Sequence, residues 1–488
     1  MRKRYGSFIQ AIRNLRKPAG RIELNPRQRE VVERGNGPIL VTAGPGSGKT
    51  TVATGLMGAL RAAGRRVAPF KVGPDFIDPG YHGLASGRPG RNLDPVLVGD
   101  SLIGPLFRHG SDDADIAVVE GVMGLFDGRI SPTAPGPAHG STAQVAAMLG
   151  APVILVVDAR GQSHSIAALL HGFATFDHSV RLAGVILNRV GSARHDEVLR
   201  QACEHAGVPV LGSIPRADEL TVPSRHLGLV TAVEHGNLAS AAVDAMAGLV
   251  ARHVDLDAVA AVAASSVTAP PWDAAVCEPV AGGVTVAMAA GKAFTFNYAE
   301  HVEVLRAAGA TVVDFDPLTD PLPDTTAALV LPGGFPEQFG PQLSANDIVR
   351  SQIRALAMRG APVHAECAGL TYLVDDLDGQ PMCGVLAGTA TFTDTLTLGY
   401  RDAVAVGDSP LHRVGDRVVG HEFHRTAVQF TGDRQPAWRF AGRGGHIVDD
   451  GAVRAGVHAG YLHTHPAAHP DAVARFVFAA AAASRLAG

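Results

Sequence analysis

Residues 39–64, ILVTAGPGSGKTTVATGLMGALRAAG, decide the fold. The apolar run ILVTA reads as a buried strand, and TVATGLMGALRAAG reads as a helix closed by glycine. Between them the Gly-rich loop AGPGSGKT, residues 43–50, ends in Gly-Lys-Thr, which is the strand, loop and helix order a phosphate-binding loop requires. Gly44, Gly46 and Gly48 let backbone amides wrap phosphate oxygens, and Ser47 lies among them. Lys49 is placed to reach the β and γ phosphates, and Thr50 to bind Mg²⁺. A nucleoside triphosphate with Mg²⁺ is the expected occupant.

Working outward, buried-strand candidates recur as VAPFKV (67–72), DIAVVEG (115–121), APVILVVD (151–158), LAGVILNRV (182–190) and VPVLGSI (208–214), with helical segments between them. That alternation predicts a mostly parallel sheet covered by helices. Ligands of such sheets gather at the carboxyl ends of the strands, so distant segments should converge on the loop. Lys71 in FKVGPDFIDPGYH is a candidate second phosphate contact. Asp75 and Asp78 are candidates to bind Mg²⁺ or position an acyl acceptor, and Glu120 and Asp127 sit at and beyond a strand end in VVEGVMGLFDG. Asn188 is read equally as a base contact or a turn former.

A second centre lies far downstream. Ala, Ser and Pro dominate 256–282, the best linker candidate, and a second α/β unit starts at GVTVAMAA (283–290). Within it AECAGL (365–370) places Cys367 on a sharp strand-to-helix turn, where helix amides favour a thiolate. His463 in YLHTH (461–465) is the candidate to receive or organise the proton, whereas His465 reads as structural or substrate-facing. LPGGFPEQF (331–339) offers the Gly333 and Gly334 amides as an oxyanion hole. From about 391 the chain reads as more antiparallel. GHEFH (420–424) is not HExxH, so the histidines do not point to a metal centre.

A chain of 488 residues is too long for one ordinary core. Hydrophobic residues at 46% and a formal charge of -4 supply core material without a general pull toward nucleic acid or anionic membranes. The domain boundaries expected are an atypical extension over 1–30, a nucleotide domain over 31–255, the linker, and a nucleophile domain over 283–488. Cysteines 203, 277, 367 and 383 show no CxxC spacing, which fits a reducing cytoplasm. The basic start MRKRYGSFIQAIRNLRKPAG has no following h-region, and no apolar run is long enough to span a bilayer.

Taken together, TTVATGLMGALRAAGRRVAPFKVGPDFIDPGYH, GRPGRNLD, EGVMGLFDG, PGGFPE, ECAGLTYL and YLHTH closely resemble the cobyrinate/hydrogenobyrinate a,c-diamide synthase family of corrinoid biosynthesis, over about residues 39–485. The resemblance implies a P-loop domain of dethiobiotin-synthetase type followed by a class I glutamine amidotransferase-like α/β domain. It implies ATP and Mg²⁺, glutamine as nitrogen donor, and hydrogenobyrinate or cobyrinate as acceptor, amidated at the a and c carboxylates through acyl phosphates. Carried over residue by residue, it makes Asp75, Glu120 and Asp127 the synthetase carboxylates, with Thr50, Asp75 and Glu120 toward the metal. Phe76 and Ile77 would face the corrinoid, and Cys367 and His463 would be nucleophile and partner. A homodimer is compatible with it, and neither nucleic acid nor a membrane is expected as partner.

The chain departs from the family pattern at three points. ECAG stands where members usually have ECGG, so Ala368 preserves the turn unless that position needs positive φ. No acid follows His463 in a PxE arrangement, which leaves the orienting group open. Residues 21–50 with Gln28 look like the opening of a superfamily I helicase, but later motor motifs and a basic tracking surface are missing. The alternatives are cobyric acid synthase-like amidation of other corrin side chains, disfavoured by FKVGPDFIDPGYH and EGVMGLFDG, and a non-enzymatic P-loop regulatory protein, disfavoured by the intact cysteine site.

Overall fold

A computed structural model describes residues 37–44, 46–130, 138–216, 230–275, 278–280 and 283–487. The extension over 1–30, Gln28 and Cys277 lie outside the described residues. The chain divides into two compact units, with the break in sequence between Ala269 and Pro270. Segments Gly73–Ile77 and Arg91–His109 group with the second unit. The break falls inside the stretch read as a linker, whose first part is a helix, Leu256–Val262, capped by the Asp255 carboxylate accepting from the Asp257 and Ala258 amides.

In the first unit six strands are β1 (Pro38–Ala43), β2 (Val67–Val72), β3 (Ile116–Glu120), β4 (Val153–Asp158), β5 (Leu182–Val190) and β6 (Val210–Pro215). They lie in the order β2-β3-β1-β4-β5-β6, and every pairing is parallel. β1, β2 and β3 are buried at every position, which is why they read as unbroken apolar runs rather than as alternation. Register sets Lys71 opposite Glu120 and Asp158 opposite Asn188, so the carboxyl ends of the strands collect the polar groups. Helix α1 (Lys49–Ala62) leaves the loop after β1 and packs closely on the helix Asn237–His253. A Cβ at Gly55 would stand 2.6 Å from the Met246 carbonyl oxygen, so glycine permits the approach. Helix α2 (Asp78–Ser86) follows the Lys71 strand.

The second unit is built on β7 (Val284–Ala289), β8 (Ala310–Phe315), β9 (Thr326–Leu331) and β10 (Val363–Glu366), then α3 (Ala368–Leu373). Two long strands follow, β11 (Leu386–Ala405) and β12 (Arg417–Phe430), and then β13 (Val457–Gly460) and β14 (His463–Thr464). The parallel order is β13-β10-β9-β7-β8. β11 and β12 form an antiparallel pair whose register shifts between Phe392 and Thr397, and β14 pairs antiparallel with β12, setting His463 opposite His421. One core runs between the parallel sheet and the helices and includes Leu329, Leu331, Leu370, Tyr372 and Cys367 itself. No helix among the described residues is long and apolar enough to cross a membrane.

Candidate active sites

The loop of the first unit is held by its neighbours before any ligand arrives. Gly46 and Gly48 have φ of 76° and 84°, a region side chains rarely adopt, and Gly48 begins α1. Asn188 Nδ2 donates to the Ser47 carbonyl at 2.8 Å, and a Cβ on Gly48 would strike that amide nitrogen at 2.5 Å. Asn188 thus supports the loop backbone. Arg189 braces it further, donating to the Gly46 carbonyl at 2.8 Å and to Asp158 at 2.7 Å. The Ser47 hydroxyl donates to the Gly44 carbonyl.

Below the loop is a cluster of charge. Thr50 Oγ1 donates to Glu120 Oε1 at 2.6 Å and lies 3.3 Å from Asp78 Oδ2. Lys71 Nζ bridges the same two carboxylates, 2.5 Å from Asp78 and 2.9 Å from Glu120. His82 Nε2 meets the other Glu120 oxygen at 2.7 Å. Burial alone would raise the Glu120 carboxyl, but Lys71, His82 and Lys49 overcome that penalty and hold it well below the usual carboxylate range. Lys49 Nζ donates to the Met123 carbonyl at 3.1 Å, so the loop after β3 lies within reach of the P-loop lysine.

Asp78 is the carboxylate that meets Thr50 and Lys71. Asp75 Oδ1 accepts from the Ile77 amide at 2.8 Å, the bond of a tight local turn, and it belongs to the second unit. Asp127 Oδ2 accepts from the Gly124 amide at 3.0 Å and braces the loop after β3. The oxygens of Thr50, Asp78 and Glu120 are the hard donors Mg²⁺ prefers, and two carboxylates with a hydroxyl suit an ion that keeps several waters and binds substrate phosphates. His82 escaped sequence reasoning because only the packing of α2 against β2 and α1 brings it to Glu120.

In the second unit Cys367 stands between β10 and α3 with φ of 51°, and its amide donates to the Gly460 carbonyl at 2.8 Å. The positive φ falls on the cysteine itself; Ala368 lies inside α3, so ECAG keeps the turn. Gly369 is required, since a Cβ there would lie 2.2 Å from the Leu331 carbonyl oxygen. The Gly334 and Ala368 amides donate to the thiol sulfur. Burial, aided by Glu337, nevertheless pushes the thiol well above its ordinary value, so the resting cysteine is protonated.

His463 is fully buried and its ring presses on Gly333, where a Cβ would stand 2.3 Å from Cε1. His465 caps the turn Pro466–Ala468 by accepting from the Ala467 amide at 3.2 Å, and burial lowers it to about 4. Phe76 stacks on Phe296 with centroids 5.0 Å apart and lies 5.0 Å from the His463 ring. Phe76 and Ile77 are 8% and 9% exposed, so the pair expected to face a corrinoid is packed within the second unit, Phe76 beside the histidine.

A phosphate-binding loop over a buried carboxylate-lysine cluster in one unit, and a cysteine cradled by amides in the other, define a glutamine-hydrolysing, ATP-dependent ligase. The "CobQ/CobB/MinD/ParA nucleotide binding domain" matches residues 39–230, and the "CobB/CobQ-like glutamine amidotransferase domain" matches 285–470. The hydrogenobyrinate a,c-diamide synthase of Mycobacterium tuberculosis is 70% identical over 89% of this chain and 96% of its own. That of Streptomyces coelicolor is 53% identical over 90% and 97%, and the cobyrinate a,c-diamide synthase of a Synechococcus strain is 39% identical over 92% and 99%. The chain belongs to the cobyrinate/hydrogenobyrinate a,c-diamide synthase family.

Proposed function

We propose that the protein amidates the a and c carboxylates of hydrogenobyrinate, using glutamine for nitrogen and ATP for activation. The cradling of the Cys367 sulfur by the Gly334 and Ala368 amides carries this reading, because the same two amides would stabilise the oxyanion of a tetrahedral intermediate. Cys367 Sγ attacks the glutamine side-chain carbonyl carbon, its proton passing to His463 and then to the departing ammonia. Water hydrolyses the thioester and releases glutamate.

In the nucleotide-binding unit, a corrinoid carboxylate oxygen attacks the γ-phosphorus of ATP and ADP leaves. Ammonia then attacks the acyl carbon and phosphate departs, so a poor leaving oxygen has become a good one. Lys49 and the loop amides hold the phosphates, and Lys71 balances the charge of Glu120 and Asp78. Thr50, Glu120 and Asp78 would hold Mg²⁺, which supplies charge neutralisation on the phosphates. Asp75, Asp127, Phe76 and Ile77 are assigned to acceptor activation and positioning, on the family pattern alone.

The cobalt-free acceptor is preferred because the 70%, 53% and 50% identical relatives are all hydrogenobyrinate enzymes. Parallel assays of hydrogenobyrinate and cobyrinate with ATP, Mg²⁺ and glutamine, followed by product mass and kcat/KM, test it. Two carboxyl-to-amide conversions and a higher kcat/KM for hydrogenobyrinate are expected. A marked preference for cobyrinate overturns the choice of acceptor, and further amidation would point to the cobyric acid synthase reaction.

A further inference from the structure

Relatives of the cysteine-histidine site need an acid to orient the histidine, and none follows His463 in sequence. The residue immediately before the nucleophile fills the gap. Glu366 ends β10, and its side chain is 13% exposed. Its Oε1 accepts from the Thr464 amide at 3.1 Å and from the Thr464 hydroxyl at 3.0 Å, with His364 Nε2 at 3.4 Å. Those donors fix the carboxylate through one oxygen. The other, Oε2, is turned to His463 Nδ1 at 3.6 Å.

The opposite edge of the ring lies against Gly333. His463 Cε1 and Nε2 would lie 2.3 Å and 3.2 Å from a Cβ on Gly333, and the next residue, Gly334, donates its amide to the Cys367 sulfur. Neither ring nitrogen has a settled hydrogen-bond partner, although both are buried. A contact of 3.6 Å is long for a hydrogen bond, and catalytic contacts of this kind tighten when substrate binds.

We propose that Glu366 is the positioning acid of the glutaminase site, holding His463 by Nδ1 so that Nε2 faces the Cys367 thiol. This rests on the thioester reading above. When Nε2 takes the thiol proton, the ring becomes an imidazolium whose Nδ1–H points at a fixed carboxylate. The positive charge that forms is thereby matched, and the proton leaves again with ammonia. A role confined to tying β10 to Thr464 would use Oε1 alone.

Glu366→Gln separates the two roles, since glutamine keeps an acceptor for Thr464 and loses the charge facing His463. Two readouts are taken on the intact enzyme: the ratio of glutamine-supported to ammonia-supported amidation, and the pH midpoint for alkylation of Cys367 by iodoacetamide. Other titratable groups that act electrostatically with Glu366 are His301, His364, His458, His465 and Tyr298, so each variant is compared across the same pH range as the unaltered protein. The Glu366 charge by itself raises the Cys367 thiol, so its loss alone would lower the midpoint, and an upward move reads the lost support of the His463 imidazolium; the expected results are a fall of about 100-fold in the ratio and an upward move of the alkylation midpoint.

An unchanged midpoint or an unchanged ratio in folded Glu366→Gln would overturn the assignment. If that variant does not fold, Glu366→Asp carries the test, because it keeps the charge but withdraws it by one methylene; the same two shifts are expected, and their absence overturns the proposal. Cys367→Ala is assayed alongside. Glutaminase activity surviving there would remove the thioester reading itself, independently of any result at Glu366.

Discussion

At Glu120 the first unit keeps an ionised carboxylate in its buried interior, and the three groups around it show how. Lys71 and His82 each take one oxygen, and Thr50 shares the first. Breaking such a cluster by removing one partner leaves an uncompensated buried charge, which costs more than the pair contributes when intact. His82→Ala should therefore destabilise the protein by about 1.5–3 kcal/mol, the range for a hydrogen bond to a charged group, read as a lower denaturant midpoint. A midpoint within error of the unaltered protein would show that His82 does not support Glu120. Glu120→Gln should stop amidation from glutamine and ammonia alike, since it acts on carboxylate activation; ammonia-supported product from the folded variant would dismiss the assigned site. Glu120 was legible as a carboxylate at a strand end, because strand ends of parallel sheets gather ligands. His82 was not, since its approach to Glu120 depends on how α2 turns after β2 and no spacing rule reports that rotation.

Among the elements, α3 is the most tightly specified. Its first turn meets the end of β9 so closely that Gly369 has no room for a methyl group beside the Leu331 carbonyl. Gly369→Ala must shift the helix or the strand, at about 1–3 kcal/mol for overpacking, and should move Cys367 away from the Gly334 amide. Loss of glutaminase activity with a lowered Tm is the expected pair of results; normal activity would contradict the close approach. The strands around β13 carry a pH-sensitive group. Burial, with Glu422 nearby, raises the Asp450 carboxyl to about 6 while its oxygens accept from the Tyr461 amide. A raised folded-state value means the proton is retained where the unfolded chain has lost it, so this contribution is full below about 4 and lost as pH rises through about 6. The Tm of Asp450→Asn, measured against the unaltered protein, should improve as pH goes from 4.5 to 7; a constant difference would refute it. Parallel strands such as VAPFKV, buried throughout, and LAGVILNRV, buried over most of its length, were read at their observed limits, whereas the reach of β11 and β12 back to Leu386 was not, because half-exposed strands carry a weaker apolar signal.

Across the whole molecule, the chain divides into two compact units. The break between Ala269 and Pro270 falls where Ala, Ser and Pro dominate, but the grouping of 73–77 and 91–109 with the second unit depends on contacts distant in sequence. Arg91 is the clearest such contact: its guanidinium pairs with Glu300 at 2.6 Å and also with Glu303, and Glu300 is 1% exposed. Arg91→Ala would strand that buried carboxylate, with an expected loss of about 3–5 kcal/mol in unfolding free energy. In the proposed function, nitrogen release at Cys367 and carboxylate activation at the P-loop are separate chemistries. The measurement that tests it most directly is product formation by Cys367→Ala from hydrogenobyrinate, ATP and Mg²⁺, supplied in parallel with glutamine or with high ammonia. No amide from glutamine and a rate from ammonia near that of the unaltered protein are expected. Equal loss with both donors, in a folded variant that still binds ATP, would contradict it.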